Sequence, residues 1–135
     1  MAPAKRTAFT PVALGYAAGE RGTGIAYLRL TDVLLRVKFR ASGADRAERA
    51  AGYAALTAAA QALRARGIDR VRFAIGDAEL IEDLASHRAV PDGLVLPYVR
   101  LRCALNQLDA FELERESQDD LAQRARAEVA MHVAA

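Results

Sequence analysis

The sequence predicts an α/β fold: one mixed five-stranded sheet, three antiparallel strands then two parallel ones, with helices on both faces. Two observations predict it. Strand-like runs joined by short turns fill the first 40 residues, and beyond Ser42-Gly43 the hydrophobic period switches repeatedly between helix and strand. The resulting order, β-β-β-α-β-α-α-β-α, places helical crossovers between the later strands, and such crossovers are what parallel pairing needs. No repeat, linker or shift in composition divides the 135 residues, so one domain over 1–135 is expected.

Residues 9–17 are apolar and partly β-branched, and "GERGTG" after them reads as a hairpin, its glycines being wrongly spaced for a nucleotide loop. "IAYLRL" and "VLLRVKF" flank Thr31-Asp32. In the second of these runs Leu35, Val37 and Phe39 alternate with Arg36, Lys38 and Arg40, the period of a half-exposed strand. Residues 44–66 place Tyr53, Leu56, Ala60 and Leu63 on one helical stripe that Gly67 closes. "VRFAI" is a short buried strand. "DAELIEDLASH" is a helix with Leu80, Ile81 and Leu84 inward, and a second helix over 97–108 turns Tyr98, Leu101 and Leu105 inward. "AFELE" is the last strand. The last helix, "SQDDLAQRARAEVAMHV", buries Leu121, Ala125 and Val129.

Composition excludes some classes. A hydrophobic fraction of 53% with 27% charged residues is that of a globular chain and not a disordered one. No apolar run approaches the ~18 residues of a membrane span. The N-terminus imitates a signal peptide, but Thr10 and Pro11 break its apolar run, so a cytoplasmic location is expected. The net charge of +2 permits nucleic-acid binding without arguing for it. Cys103 is the only cysteine, which rules out an internal disulfide; "LRCAL" predicts it as a small core residue.

Gly52 is the anomaly. It interrupts "AERAAGYAALTAAAQALRARG", where glycine costs roughly 1 kcal/mol relative to alanine in a helix interior. The order of elements and three short motifs around it resemble the ribonuclease H family, including its reverse-transcriptase-like branch. Residues 51–56, "AGYAAL", match the family's Ala-Glu-Tyr-x-Ala-Leu except that Gly52 replaces the glutamate. "FAIGDAELIEDL" keeps a metal-binding aspartate as Asp77, with Ala78 in place of the usual serine. "QDDLA" keeps the aspartate of the last helix as Asp119, with Asp120 at a variable position, and Arg115-Glu116 precede it in a shortened loop that lacks the family's histidine. The strand-one aspartate falls at Leu14 or Gly15, and no acidic residue occurs before Glu20.

The resemblance implies an RNase H-like fold and a site where clustered carboxylates hold two divalent cations. Magnesium gives up its waters reluctantly and needs several such oxygens converging. Here Asp77 and Asp119, helped by Asp120, offer at most one weakly bound Mg2+ or Mn2+ and no other cofactor. Each has a structural alternative, because aspartate in a first helical turn caps the backbone and complements the helix dipole. Glu48, one turn before Gly52, is a displaced substitute or a solvated helix start. His87 and His132 have no partner motif. If the cleft at Gly52 is open, Gly52→Glu is tolerated.

Three functions follow. The first is a catalytically inactive RNase H-like domain that binds nucleic acid, an RNA–DNA hybrid or a related duplex, through Arg21, Arg36, Lys38, Arg40 and Arg70. The second is a protein-interaction or homodimerisation module on the same scaffold. The third is a weak metal-dependent ribonuclease H that still uses Asp77 and Asp119. The strand cations also have a bland reading as a solvated face.

Overall fold

A computed structural model describes residues 8–19, 21–41, 47–86, 90 and 92–134. Five strands, β1 (Thr10–Ala18), β2 (Thr23–Arg29), β3 (Leu34–Arg40), β4 (Arg70–Ile75) and β5 (Ala110–Arg115), form one sheet of order β3-β2-β1-β4-β5. β1–β2 and β2–β3 pair antiparallel, and β1–β4 and β4–β5 pair parallel. Four helices join them: α1 (Ala47–Ala65), α2 (Ala78–Ser86), α3 (Val95–Asn106) and α4 (Asp119–Ala134). The predicted order and sheet are those found.

Side chains alternate across a strand, and β1 uses that alternation to serve two unlike faces. Val12 and Leu14 enter the larger core, with Tyr53, Leu56, Leu63, Leu80, Leu101 and Leu105 from α1, α2 and α3. Ala13 and Ala17 face the other way, toward a smaller cluster of Ile25, Tyr27, Leu121 and Ala125 under α4. Small residues on that side let α4 lie close to the strand. β2 is covered on both faces and is buried continuously from Gly24 to Leu28, as a central strand should be. β3, at the edge, keeps the alternation read from sequence: Arg36, Lys38 and Arg40 are exposed.

The termini of α1 and α3 depend on local chemistry. Gly67 has φ +83, a conformation open to glycine, and Ile68 N–H reaches back 2.9 Å to the Leu63 carbonyl, closing α1 as predicted. α3 starts at Val95, two residues earlier than the sequence suggested, after a 3₁₀ turn over Asp92–Leu94. Pro97 is tolerated inside its first turn because the N–H it lacks would have had no partner there. Cys103 corrects the expectation of a core residue, since it is exposed. Leu101, Ala104 and Leu105 are the buried positions of α3, and residue 103 stands roughly 200° round the helix from both 101 and 105.

No helix among the described residues is long and apolar enough to cross a membrane. His87 and the side chains of Glu48 and His132 lie outside the described residues.

Candidate functional site

Gly52, Asp77 and a third residue converge at the carboxyl end of β4. Asp77 directly precedes α2 and caps it, its Oδ1 accepting the Leu80 N–H at 3.2 Å. Its other oxygen accepts the Tyr16 hydroxyl at 2.8 Å. A Cβ built on Gly52 would lie 2.9 Å from that hydroxyl and 3.3 Å from Asp77 Oδ2. A side chain at 52 would have to push the Tyr16 hydroxyl aside, because the phenol tip occupies the space its Cβ would take. Edge-to-face packing on Phe39, with ring centroids 6.5 Å apart, holds the Tyr16 ring from behind.

Tyr16 carried no motif in the sequence. The signal for it is the parallel register: Leu14 pairs with Ile75, so two residues further along β1 Tyr16 comes beside Asp77. The two strand-one positions face opposite sides of the sheet. Leu14 belongs to the core on the α1 side and is 1% exposed. Gly15 faces α4 instead, and a Cβ there would come within 2.4 Å of Leu121 Cβ.

The two other candidate carboxylates stand in the first turn of α4. Asp119 is exposed there. Asp120 bonds to Arg29, and that hydrogen bond holds its carboxyl below the usual range. Among the described residues no group of three or more His, Cys, Asp or Glu side chains is placed to hold a metal ion.

Of the five candidate cations, four share one edge. Arg21 lies in the β1–β2 turn, whose Gly22 carbonyl accepts the Ala41 N–H at 2.8 Å, and Arg36, Lys38 and Arg40 line β3. Arg36 is held by Glu128, whose hydrogen bond raises its pKa further. Arg70 stands apart at the start of β4, bonded to Asp109 at 2.6 Å and stacked over Phe9 at 5.0 Å.

Gly52 lies beside Asp77 and meets side-chain atoms there, so a glutamate at 52 would have to displace the Tyr16 hydroxyl. Gly52→Glu is expected to destabilise the protein by about 1–3 kcal/mol, the usual cost of overpacking, despite the helix propensity it gains. Removing the obstacle should recover most of that loss, so a double-mutant cycle in urea with Tyr16→Ala checks it. Additive losses would show that Tyr16 and position 52 do not compete for space.

No protein family and no curated protein matches the chain by sequence. Several solved structures match by fold. RNase H1 from the halophilic archaeon Halobacterium salinarum NRC-1 superposes with a TM-score of 0.68 at 20% identity, covering 93% of this chain and 99% of that one. The N-terminal RNase H domain of Rv2228c from Mycobacterium tuberculosis, solved as a fusion with maltose binding protein, gives 0.64 at 17% identity, with 92% and 99% covered. LC11-RNase H1, solved in complex with an RNA/DNA hybrid, gives 0.61 at 15% identity, with 87% and 91% covered. The chain has a ribonuclease H-like fold.

Proposed function

We propose that this chain is a ribonuclease H-like domain that binds nucleic acid, an RNA–DNA hybrid or a related duplex, without cleaving it. One observation carries the reading: the Tyr16 hydroxyl bonds to Asp77 and stands where a side chain at Gly52 would point. The residues present do not fit a pair of metal ions. Asp77 accepts the Tyr16 hydroxyl on one oxygen and the α2 backbone on the other, which leaves one lone pair on each. Leu14 brings no oxygen, Gly52 brings none, and Asp120 is bound to Arg29. In-line displacement with two ions needs oxygens on both sides of the scissile phosphate, and among the described residues this cleft gains none from strand one or from α1 at Gly52.

Binding rests on separate support. LC11-RNase H1 was solved with an RNA/DNA hybrid on the same fold, and Arg21, Lys38 and Arg40 offer exposed cations on one edge. In magnesium or manganese the purified chain should release no product from a labelled RNA–DNA hybrid above background. Turnover that disappears in Asp77→Asn would overturn the reading.

The protein-interaction alternative draws on Val95, Leu96 and Val99, which are 45%, 57% and 47% exposed on the outer side of α3. Self-association abolished by Leu96→Ser would favour it.

A further inference from the structure

The chain is nearly balanced in charge, with 19 basic and 17 acidic residues, yet the acids are unevenly placed. Residues 49–65 of α1 contain no Asp or Glu, and neither does any part of α3. By contrast, α2 carries Glu79, Glu82 and Asp83, and α4 carries Asp119, Asp120 and Glu128. Between β3, α1 and α3 runs a groove of about 300 Å³ whose lining includes Lys38, Arg40, Thr57, Gln61 and Arg100. Gln61 also borders an adjoining hollow lined by Arg64 and by one acid, Asp69. Among the described residues Lys38, Arg40, Arg64 and Arg100 make no ion pair.

Edge-strand lysines and arginines often serve only to deter sheet-to-sheet association. That accounts for Lys38 and Arg40 but not for Arg100 in the groove or Arg64 in the hollow beside it, which stand on two helices. Nor do the helices themselves neutralise them. The residues three and four positions from Arg100 are Leu96, Pro97, Cys103 and Ala104, and those from Arg64 are Ala60, Gln61, Gly67 and Ile68. The groove is also distinct from the Tyr16–Asp77 cleft. Its alanine wall includes Ala50 and Ala54, each two residues from Gly52 and so roughly 200° round α1 from it.

We infer that this groove is the track for the phosphodiester backbone of a nucleic-acid strand, and that the backbone does not run through the Asp77 cleft. Lys38 and Arg40 are spaced about 7 Å along β3, a separation that suits neighbouring phosphates. Thr57 and Gln61 add neutral donors between the cations. The inference rests on the nucleic-acid reading above and gives it a location.

Fluorescence anisotropy with a labelled RNA–DNA hybrid, titrated over a series of salt concentrations, tests it. The variants are a Lys38→Ser, Arg40→Ser, Arg100→Ser triple and, as a control, Arg126→Ser, an exposed position on α4. Each phosphate contact contributes roughly 0.7–0.9 to the slope of log affinity against log salt. The triple variant should therefore bind at least tenfold more weakly, with a slope shallower by about 2–3, while Arg126→Ser keeps the parent's slope. A triple variant that retains the parent's affinity and slope removes the groove but leaves the nucleic-acid reading standing. Equal losses in the triple variant and Arg126→Ser would mean diffuse charge and no track. No salt-dependent binding by the parent chain removes the nucleic-acid reading itself, and the groove with it.

Discussion

Gly15→Ala should destabilise the protein by about 3 kcal/mol or more, the upper range for overpacking, and lower its melting temperature by roughly 10 °C. The reason is what the new methyl would meet. It would lie 2.4 Å from Leu121 Cβ, 2.6 Å from Ala122 N and 2.8 Å from the Leu121 carbonyl carbon. Two of the three are backbone atoms of α4, which no rotamer change can move. The helix would have to lift from β1, and Leu121 and Ala125 would leave the cluster they form with Ile25 and Tyr27. Alanine's better strand propensity returns well under 1 kcal/mol. A thermal melt with an unchanged midpoint would show that α4 does not rest on this position. The consequence for the site is direct: an acid placed at residue 15 would strike α4 and could not serve the Asp77 cleft.

The fold was legible because its information is local. Period two in residues 33–39 and period 3.6 in residues 47–65 each belong to a single element, and the order of elements left few sheets to consider. The candidate site was legible only where a motif survived, at Asp77 and at the gap left by Gly52. What filled that gap was not. Tyr16 reaches Asp77 through the pairing of β1 with β4, a contact 61 residues apart in the chain, and nothing in "VALGYAAG" states the register. The same non-local arithmetic hid the difference between Leu14 and Gly15, and the separation of Arg70 from the β3 cations. Cys103 was misread for a simpler cause. In "LRCAL" every neighbour is apolar or long, so composition marks a helix but does not say which side of it faces the sheet.

Asp83→Ala should cost roughly 3 kcal/mol, because it leaves one side of a buried pair unanswered. Asp83 is 6% exposed on α2 and accepts a hydrogen bond from Arg49 and another, at 2.6 Å, from the Tyr53 hydroxyl, both on α1. Breaking a buried ion pair from one side costs about 3–5 kcal/mol. The lower end applies here, because the Arg49 side chain keeps 25% of its surface in water and has Glu79 at 3.8 Å. Asp83→Asn, which preserves an acceptor for Tyr53, should lose about half as much. The tie matters to the site because it fixes α1 against α2, and so Gly52 against Asp77. It also has a signature in pH. Burial, then the Asp83 hydrogen bond, push the Tyr53 phenol up to about 12. Its folded pKa thus lies above the unfolded value near 10, so the proton is held more tightly in the native state. The stabilisation, roughly 2–3 kcal/mol, is complete below pH ~10 and is lost as pH rises from there through about 12. Asp83→Ala removes the second cause and leaves the first. Ultraviolet titration of the variant should therefore show one tyrosine ionising at lower pH than in the parent protein, and alkaline unfolding should begin earlier. If the variant keeps both the parent's stability and its tyrosine titration, the Arg49–Asp83–Tyr53 contact does not hold α1 to α2.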